Sequence, residues 1–279
     1  MGFWDFLKRG DNKSDKLGYK PAPLRKEVAR WADKAADKRA QNYDRQEAIA
    51  ALADLCQPLS NEEELAKTDK GKIQIEEHGA TQIEAATALL KRFNFVMDPS
   101  ITDQEEKQLA FDGIMGAGKG ILLPLRAYAA KTESLGWPMR ILKELLHEDE
   151  AIAELIEWLS KWDTEYAKFV DPKVQLLSQL EEHRDPAIRE AVAPFLMDVN
   201  EPSRFHAVGA TLAQDDPAAI PALVDMFIDE ESLRIRNRVC EGFMTRGWAF
   251  PEDTWPDARK SLSSEYTIDG EGLVRKRGA

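Results

Sequence analysis

The sequence predicts an all-α protein, an α-solenoid of stacked antiparallel helix pairs that ends in a short hairpin or coil. Three observations support this fold class. Charged residues make up 32% of the chain, and alanine, leucine and glutamate are abundant, which favours helices. Apolar residues recur three and four positions apart, as on one side of a helix. One pattern of apolar and arginine residues also repeats at an offset of 32 residues.

Residues 1–40 are predicted to form a basic arm that begins with a short amphipathic segment. Residues 1–45 hold 12 Lys+Arg and 7 Asp+Glu, whereas the whole chain has 38 and 50, so the remainder is strongly acidic. Four apolar residues precede the first basic pair: Phe3, Trp4, Phe6 and Leu7. Such a segment suits an anionic membrane surface, a groove on a partner protein, or the chain's own acidic remainder. The sequence leaves all three alternatives open.

Residues 41–104 are predicted to be an N-terminal helical region. Segments 44–56 and 80–93 both carry apolar residues along one side, which is typical of amphipathic helices. Between them, the polar segment 67–79 is predicted to be a loop. Ser100 or Thr102 is expected to cap the helix that follows, because a hydroxyl can accept from the free backbone N–H groups of a first turn.

Residues 105–250 contain the repeats. When 187–212 is laid over 219–244, apolar and arginine positions coincide in one register, among them Val192 with Val224, Phe195 with Phe227 and Arg204 with Arg236. The first helix of each of these two overlaid repeats opens on Asp followed by Pro, which favours a capped start. Each helix is apolar along one side only, so neighbouring pairs must stack to bury those sides. We therefore predict four helix pairs after residue 105.

The repeats resemble the HEAT-repeat family, including the short HEAT repeats of phycobilisome-lyase-like proteins. A proline in the first helix, an acidic residue in the turn and an arginine early in the second helix carry the resemblance. These residues are Pro124, Pro194, Pro221, Asp198, Asp229, Arg140, Arg204 and Arg236. Val174 departs from the pattern, because it stands where the other repeats have arginine. The resemblance implies a solenoid fold over about 105–250 and leaves the activity open.

Residues 251–279 are predicted to be a C-terminal cap or tail. Trp248, Phe250 and Trp255 are expected to cover the last repeat. Segment 266–274 contains an Asp-Gly pair between apolar residues, which predicts a small hairpin.

One segment, GIMGAGKG at 113–120, matches the G-x-x-x-x-G-K pattern of a phosphate-binding loop. A working loop of this kind follows a strand and continues with Ser or Thr, which coordinates magnesium. Here a helical pattern precedes the segment, and Gly120 stands in place of the hydroxyl residue. We predict a glycine-rich turn between helices, with no specific nucleotide and no cofactor.

The sequence shows no recognisable catalytic or metal-binding pattern. The four histidines and two cysteines lack the spacing of a zinc site, and no serine or cysteine has an identifiable nucleophile motif. Cys56 and Cys240 are too few for a disulfide framework, and no apolar run is long enough to span a membrane. With no secretory signal in view, these features predict a cytoplasmic protein, or one attached to the membrane surface by its N-terminal segment. The net charge of -12 makes nucleic acid an unsuitable partner.

The sequence therefore favours a non-enzymatic scaffold or adaptor whose repeat surface binds another protein. The candidate partner-binding residues are Arg140, Arg204, Arg236, Trp158 and Trp162. The arginines either pair with acidic turn residues as a ladder or contact an acidic partner, and the tryptophans either lie in the core or form an exposed aromatic patch. The resemblance implies two alternatives: a lyase-like HEAT enzyme or chromophore-attachment factor, and a HEAT-like DNA-repair glycosylase.

Overall fold

The computed structural model describes residues 24–278. Within them the chain forms fourteen α-helices, several short 3-10 turns and one two-stranded sheet, which confirms the all-α class. The chain divides into two compact units, Met1–Glu148 and Asp149–Ala279. The predicted repeat region, 105–250, extends across this division.

Seven helices belong to the first unit. They are α1 (Lys26–Ala36), α2 (Asn42–Leu55), α3 (Glu62–Leu65), α4 (Asp69–Leu90), α5 (Ser100–Gly116), α6 (Leu122–Ala129) and α7 (Gly136–Leu145). Helices α1, α2 and α4 pack against one another, and α5 packs on α2 and α4. The fully buried side chains of Ile49, Leu52, Leu89 and Ile114 lie in this four-helix core.

The structure corrects two predictions in this unit. Residues 69–79 are not a loop but the first half of α4, which Thr68 caps by accepting a hydrogen bond from the Gly71 backbone N–H. Most residues of this half are exposed, so its polar composition reflects solvent contact rather than irregular backbone. At α5 the N-cap position belongs to Pro99, so neither Ser100 nor Thr102 is the cap.

The glycine-rich segment at 113–120 is only partly a turn. Gly113 and Gly116 lie in the last turns of α5, and a 3-10 turn follows at Gly118–Ile121. A Cβ at Gly113 would lie 2.8 Å from the Cα of Ala53 in α2, and one at Gly116 would collide with the Cys56 carbonyl oxygen. These two glycines therefore allow α2 and α5 to pack closely.

The second unit contains the remaining helices and the sheet. They are α8 (Glu148–Leu159), α9 (Asp171–Leu180), α10 (Pro186–Val192), α11 (Glu201–Ala213), α12 (Ile220–Asp229), α13 (Leu233–Arg246), α14 (Trp255–Ser261), β1 (Tyr266–Ile268) and β2 (Val274–Lys276). As the Asp-Pro pattern predicts, the side chains of Asp185 and Asp216 accept hydrogen bonds from the backbone two residues later, and each precedes a proline.

Helices of the second unit pack in two sequential series. Helix α11 packs between α9 and α13, while α12 packs on both the 3-10 turn Ala193–Met197 and α14. Helices that are adjacent in sequence also contact each other: α10 contacts α11, and α12 contacts α13. The buried core includes Leu176, Val208, Phe227 and Phe243.

The C-terminal residues close one end of this core. Trp248 and Phe250 are buried, and the Phe250 ring packs 5.2 Å from Phe227 and 4.9 Å from Phe243, measured between ring centroids. Strands β1 and β2 form the predicted hairpin, in which Ile268 pairs with Val274. Its turn is stabilised by the Asp269 carboxylate, which accepts hydrogen bonds from the N–H groups of Glu271 and Leu273.

Candidate functional site

Arg204 connects two neighbouring helix pairs. From α11, its Nε and Nη2 donate to the two carboxylate oxygens of Glu230 at 2.7 and 2.9 Å, and its Nη1 donates to the Asp198 carbonyl at 2.8 Å. Glu230 is buried in the turn between α12 and α13. Burial alone would raise the pKa of Glu230, but the hydrogen bonds from Arg204 and from the Ser232 N–H bring it below its ordinary value.

The other two candidate arginines have different surroundings. Arg236 of α13 donates to the Ser261 carbonyl oxygen at 2.9 Å, so a neutral acceptor replaces the carboxylate. Arg140, in the first unit, is exposed; its guanidinium lies over the rings of Phe111 and Trp137 and donates to the Gln108 side chain. The three arginines therefore differ in their partners: a carboxylate for Arg204, a backbone carbonyl for Arg236, and two aromatic rings with a side-chain amide for Arg140.

A buried ion pair that sequence reasoning missed lies beside Val174. Lys173 Nζ donates to the Asp198 carboxylate at 2.5 Å and to the Asp163 carbonyl at 3.0 Å, and neither charged side chain is exposed to solvent. The repeat pattern indicates Asp198 by its place in the turn. The same pattern places an arginine at position 174, whereas the residue that pairs with Asp198 is Lys173, one position earlier. The lysine thus takes the bridging role that arginine has in the next repeat.

This ion pair holds two surface segments together. The Val199 N–H donates to the Thr164 carbonyl at 3.1 Å, so the connection after α8 lies against the turn before α11. Four large apolar side chains on these segments are exposed: Tyr166 (79%), Phe169 (46%), Met197 (61%) and Val199 (57%). We refer to these four residues as the turn patch.

The candidate tryptophans are not part of the turn patch. Trp158 is buried at the end of α8, and Trp162 is half-buried just after it. The same segment does carry exposed aromatic residues, but they are Tyr166 and Phe169. Sequence spacing could not distinguish the exposed aromatic residues from the tryptophans, because residues 160–170 form an irregular connection without helical periodicity.

The turn patch lies in an acidic unit, and its immediate surroundings carry charges of both signs. On the connection 160–170, Asp163 and Glu165 are exposed, and so are Lys161 and Lys168. Lys168 Nζ lies 5.0 Å from the Phe169 ring centre, and Asp171 is exposed at the start of α9. The second unit as a whole contains 26 Asp+Glu and 15 Lys+Arg, so it carries nearly all of the net charge of -12.

A polar belt crosses the series α9, α11 and α13. The Glu181 carboxylate contacts His206 Nδ1 and accepts from Arg238 Nη2, each at 2.5 Å. The Arg238 side chain crosses α11 at Gly209. A Cβ on Gly209 would collide with the Arg238 guanidinium and with the Glu181 carboxylate. Beside this crossing lies a hollow of about 350 Å³ that includes Glu241. The belt links three helices, and both oxygens of its central carboxylate are engaged.

The first unit contains a second buried charge cluster. Glu106 accepts hydrogen bonds from Arg45 at 2.8 and 2.9 Å and from Arg92 at 2.8 Å. Arg92 also donates to Asp103, which accepts from Lys107. Burial alone would raise the pKa of Asp103, but these donors and the Met97 N–H bring it below its ordinary value. The cluster joins α2, α5 and the turn after α4.

Neither cysteine is suited to nucleophilic chemistry. Burial raises the pKa of Cys56 and of Cys240 to about 12, so both remain protonated thiols at neutral pH. Within residues 24–278 no three His, Cys, Asp or Glu side chains are placed to hold a metal ion. In the same part of the chain, no helix combines the length and apolar character needed to cross a membrane. The predicted anchor residues Phe3, Trp4, Phe6 and Leu7 lie outside the described residues.

Comparison of the chain with protein-family models, with curated proteins and with solved structures finds no match.

Proposed function

We propose that this chain is a non-enzymatic scaffold that binds another protein, and that its second unit is a short HEAT-like α-solenoid. The sequential packing of α9, α11 and α13 supports the solenoid, as does the separate packing of α12 on α14. Three contacts made by basic side chains also recur along the chain, each to an acceptor 25 or 26 residues further on. Lys173 donates to Asp198 and Arg204 donates to Glu230. Arg236 donates to the Ser261 carbonyl. Repeating contacts of this kind are typical of stacked helix pairs.

The turn patch is the observation that supports the binding role. Single exposed apolar residues are ordinary, whereas four large ones on two segments that are hydrogen-bonded together support the proposal of an interaction surface here. The Lys173–Asp198 pair and the hydrogen bond from the Val199 N–H to the Thr164 carbonyl hold the two segments together, which lowers the order that has to be gained on binding. The net negative charge of the second unit favours a partner protein that presents apolar side chains beside basic ones.

The experiment begins with covalent capture from the native cell. A photoreactive phenylalanine analogue replaces Tyr166, which is exposed, and cross-linked proteins are identified by mass spectrometry. The captured protein is then purified, and its affinity for the unmodified chain is measured. We expect the double substitution Tyr166→Ser and Met197→Ser to weaken binding by at least about tenfold, because central apolar contacts dominate interface energies.

The matched control substitutes two exposed isoleucines of the first unit, Ile73→Ser and Ile101→Ser, and should leave the affinity unchanged. Circular dichroism on both double variants checks that each is folded. Equal affinities for the patch variant and the original chain would exclude the turn patch as the binding surface.

A further inference from the structure

A groove runs between α2 and α5 on the first unit. It is an open groove with a volume of about 370 Å³, within the lower part of the range of about 300–1,000 Å³ that is usual for binding pockets. Its main lining residues are Tyr43, Glu47 and Ala50 from α2 and Glu105, Glu106 and Leu109 from α5. The α2 residues are four and three positions apart, so they follow one side of that helix.

The groove combines an apolar interior with an acidic rim. Ala50 and Leu109 are half-buried in its wall, and the ring of Tyr43 is 76% exposed beside them. Glu47 and Glu105 are exposed, one on each side. The carboxylate of Glu106 is already held by Arg45 and Arg92, so it fixes the base of the groove and leaves the recognition of charge to the rim.

We propose that this groove binds the N-terminal segment of the same chain, with the aromatic residues Phe3, Trp4 and Phe6 entering it and Lys8 and Arg9 facing the acidic rim. The segment combines apolar and basic side chains, which are complementary to an apolar interior with an acidic rim.

The chain that precedes α1 is long enough for this docking. The 23 residues before the described part lead directly into α1, which packs on α2 and α4. Arg25 is fixed at this junction, because both its backbone N–H and its guanidinium donate to Glu84. A chain of 23 residues can span up to about 75 Å when extended, far more than the width of one helix pair.

The test uses the full-length chain with a photoreactive phenylalanine analogue in place of Trp4. Cross-linked peptides are mapped by mass spectrometry, and an isotope-labelled copy distinguishes links within one chain from links between two. We expect links within one chain to residues 43–50 and 105–109. Links that map mainly elsewhere, links between two copies, or no links to the groove would overturn the proposal.

Charge reversal on the rim provides a second, quantitative measurement. The pair Glu47→Lys and Glu105→Lys should lower the yield of the groove cross-links by about fivefold, the effect expected from losing two exposed charge pairs. The control pair, Glu62→Lys and Glu63→Lys, makes the same change of charge on the exposed helix α3 and should retain the yield.

Tyr43→Ser tests the apolar part of the groove without changing charge, at a side chain exposed enough to be replaced without loss of the fold. It should lower the cross-link yield to a similar extent. Far-UV circular dichroism confirms that each variant remains helical. Equal yields for the original chain and all of these variants would show that the groove does not bind the segment.

Discussion

Lys173 and Asp198 form an ion pair in which Nζ lies 2.5 Å from Oδ2 and neither side chain is exposed to solvent. The lysine also donates to the Asp163 carbonyl, and Asp198 accepts from the Asn200 N–H, so both charges have further hydrogen-bond partners. Buried charges of this kind are tolerated because they are paired, and each becomes costly when its partner is lost.

Lys173→Met should therefore lower the free energy of unfolding by roughly 3–5 kcal/mol, because it leaves the Asp198 carboxylate buried without its counter-charge. Urea unfolding followed by circular dichroism measures the change. The control is Lys260→Met, which removes a lysine from an exposed pair with Asp257 and should cost less than about 1 kcal/mol. Equal losses in the two variants would contradict a dominant role for the buried pair.

Arg204→Ala should lower stability by roughly 1–3 kcal/mol, because it leaves the buried Glu230 carboxylate without its two strongest donors. Arg236→Ala removes a single hydrogen bond to a neutral carbonyl and should cost about 1 kcal/mol. Thermal unfolding of both variants decides the order. If both melt like the original chain but fail to bind the captured partner, the arginines belong to the interface and the ladder interpretation is wrong.

Stability should fall in acid partly through Glu230. Its pKa is lowered in the folded chain, so its contribution is fully present above the ordinary value of 4.5 and is lost as the pH falls through the lower folded value. Glu230→Gln should therefore show a smaller loss of unfolding free energy between about pH 6 and pH 3 than the original chain. The neighbouring exposed residue provides the control, since Glu231→Gln should retain the original pH dependence. Identical slopes for all three proteins would contradict this assignment.

Local patterns in the sequence predicted local features of the fold. Capping depends on adjacent residues, so Asp185 and Asp216 could be identified as helix starts. Long-range partners could not be found in this way: Arg238 meets Glu181 across 57 residues, and only the folded stack brings them together. Polar composition misled the prediction at 67–79, because an exposed helix needs few apolar residues.

The candidate site shows the same limit. The repeat pattern indicates Asp198 as the acidic residue of its turn. A single sequence contains no signal that Lys173, its partner in the folded chain, is buried. The backbone path of an irregular connection decides which of its aromatic residues are exposed. That path cannot be predicted from periodicity, because the connection has no regular secondary structure. The sequence therefore indicated the segment that contains Tyr166 without identifying the residue.

The phosphate-loop-like segment at 113–120 contributes to helix packing through Gly113. Gly113 lies inside α5, where a Cβ would lie 2.8 Å from the Ala53 Cα, a backbone atom that cannot move without shifting α2. Gly113→Ala should therefore lower the free energy of unfolding by roughly 1–3 kcal/mol through overpacking. Gly79→Ala is the control: a Cβ there meets nothing within 4 Å in the middle of α4, so alanine should stabilise the chain by about 0.5–1 kcal/mol. Urea unfolding measures both variants.

Excess ATP or GTP should leave the melting temperature of the original chain unchanged, because a ligand that binds only the folded state would raise it. A nucleotide-dependent rise that disappears in Lys119→Ala would instead assign the segment to phosphate binding.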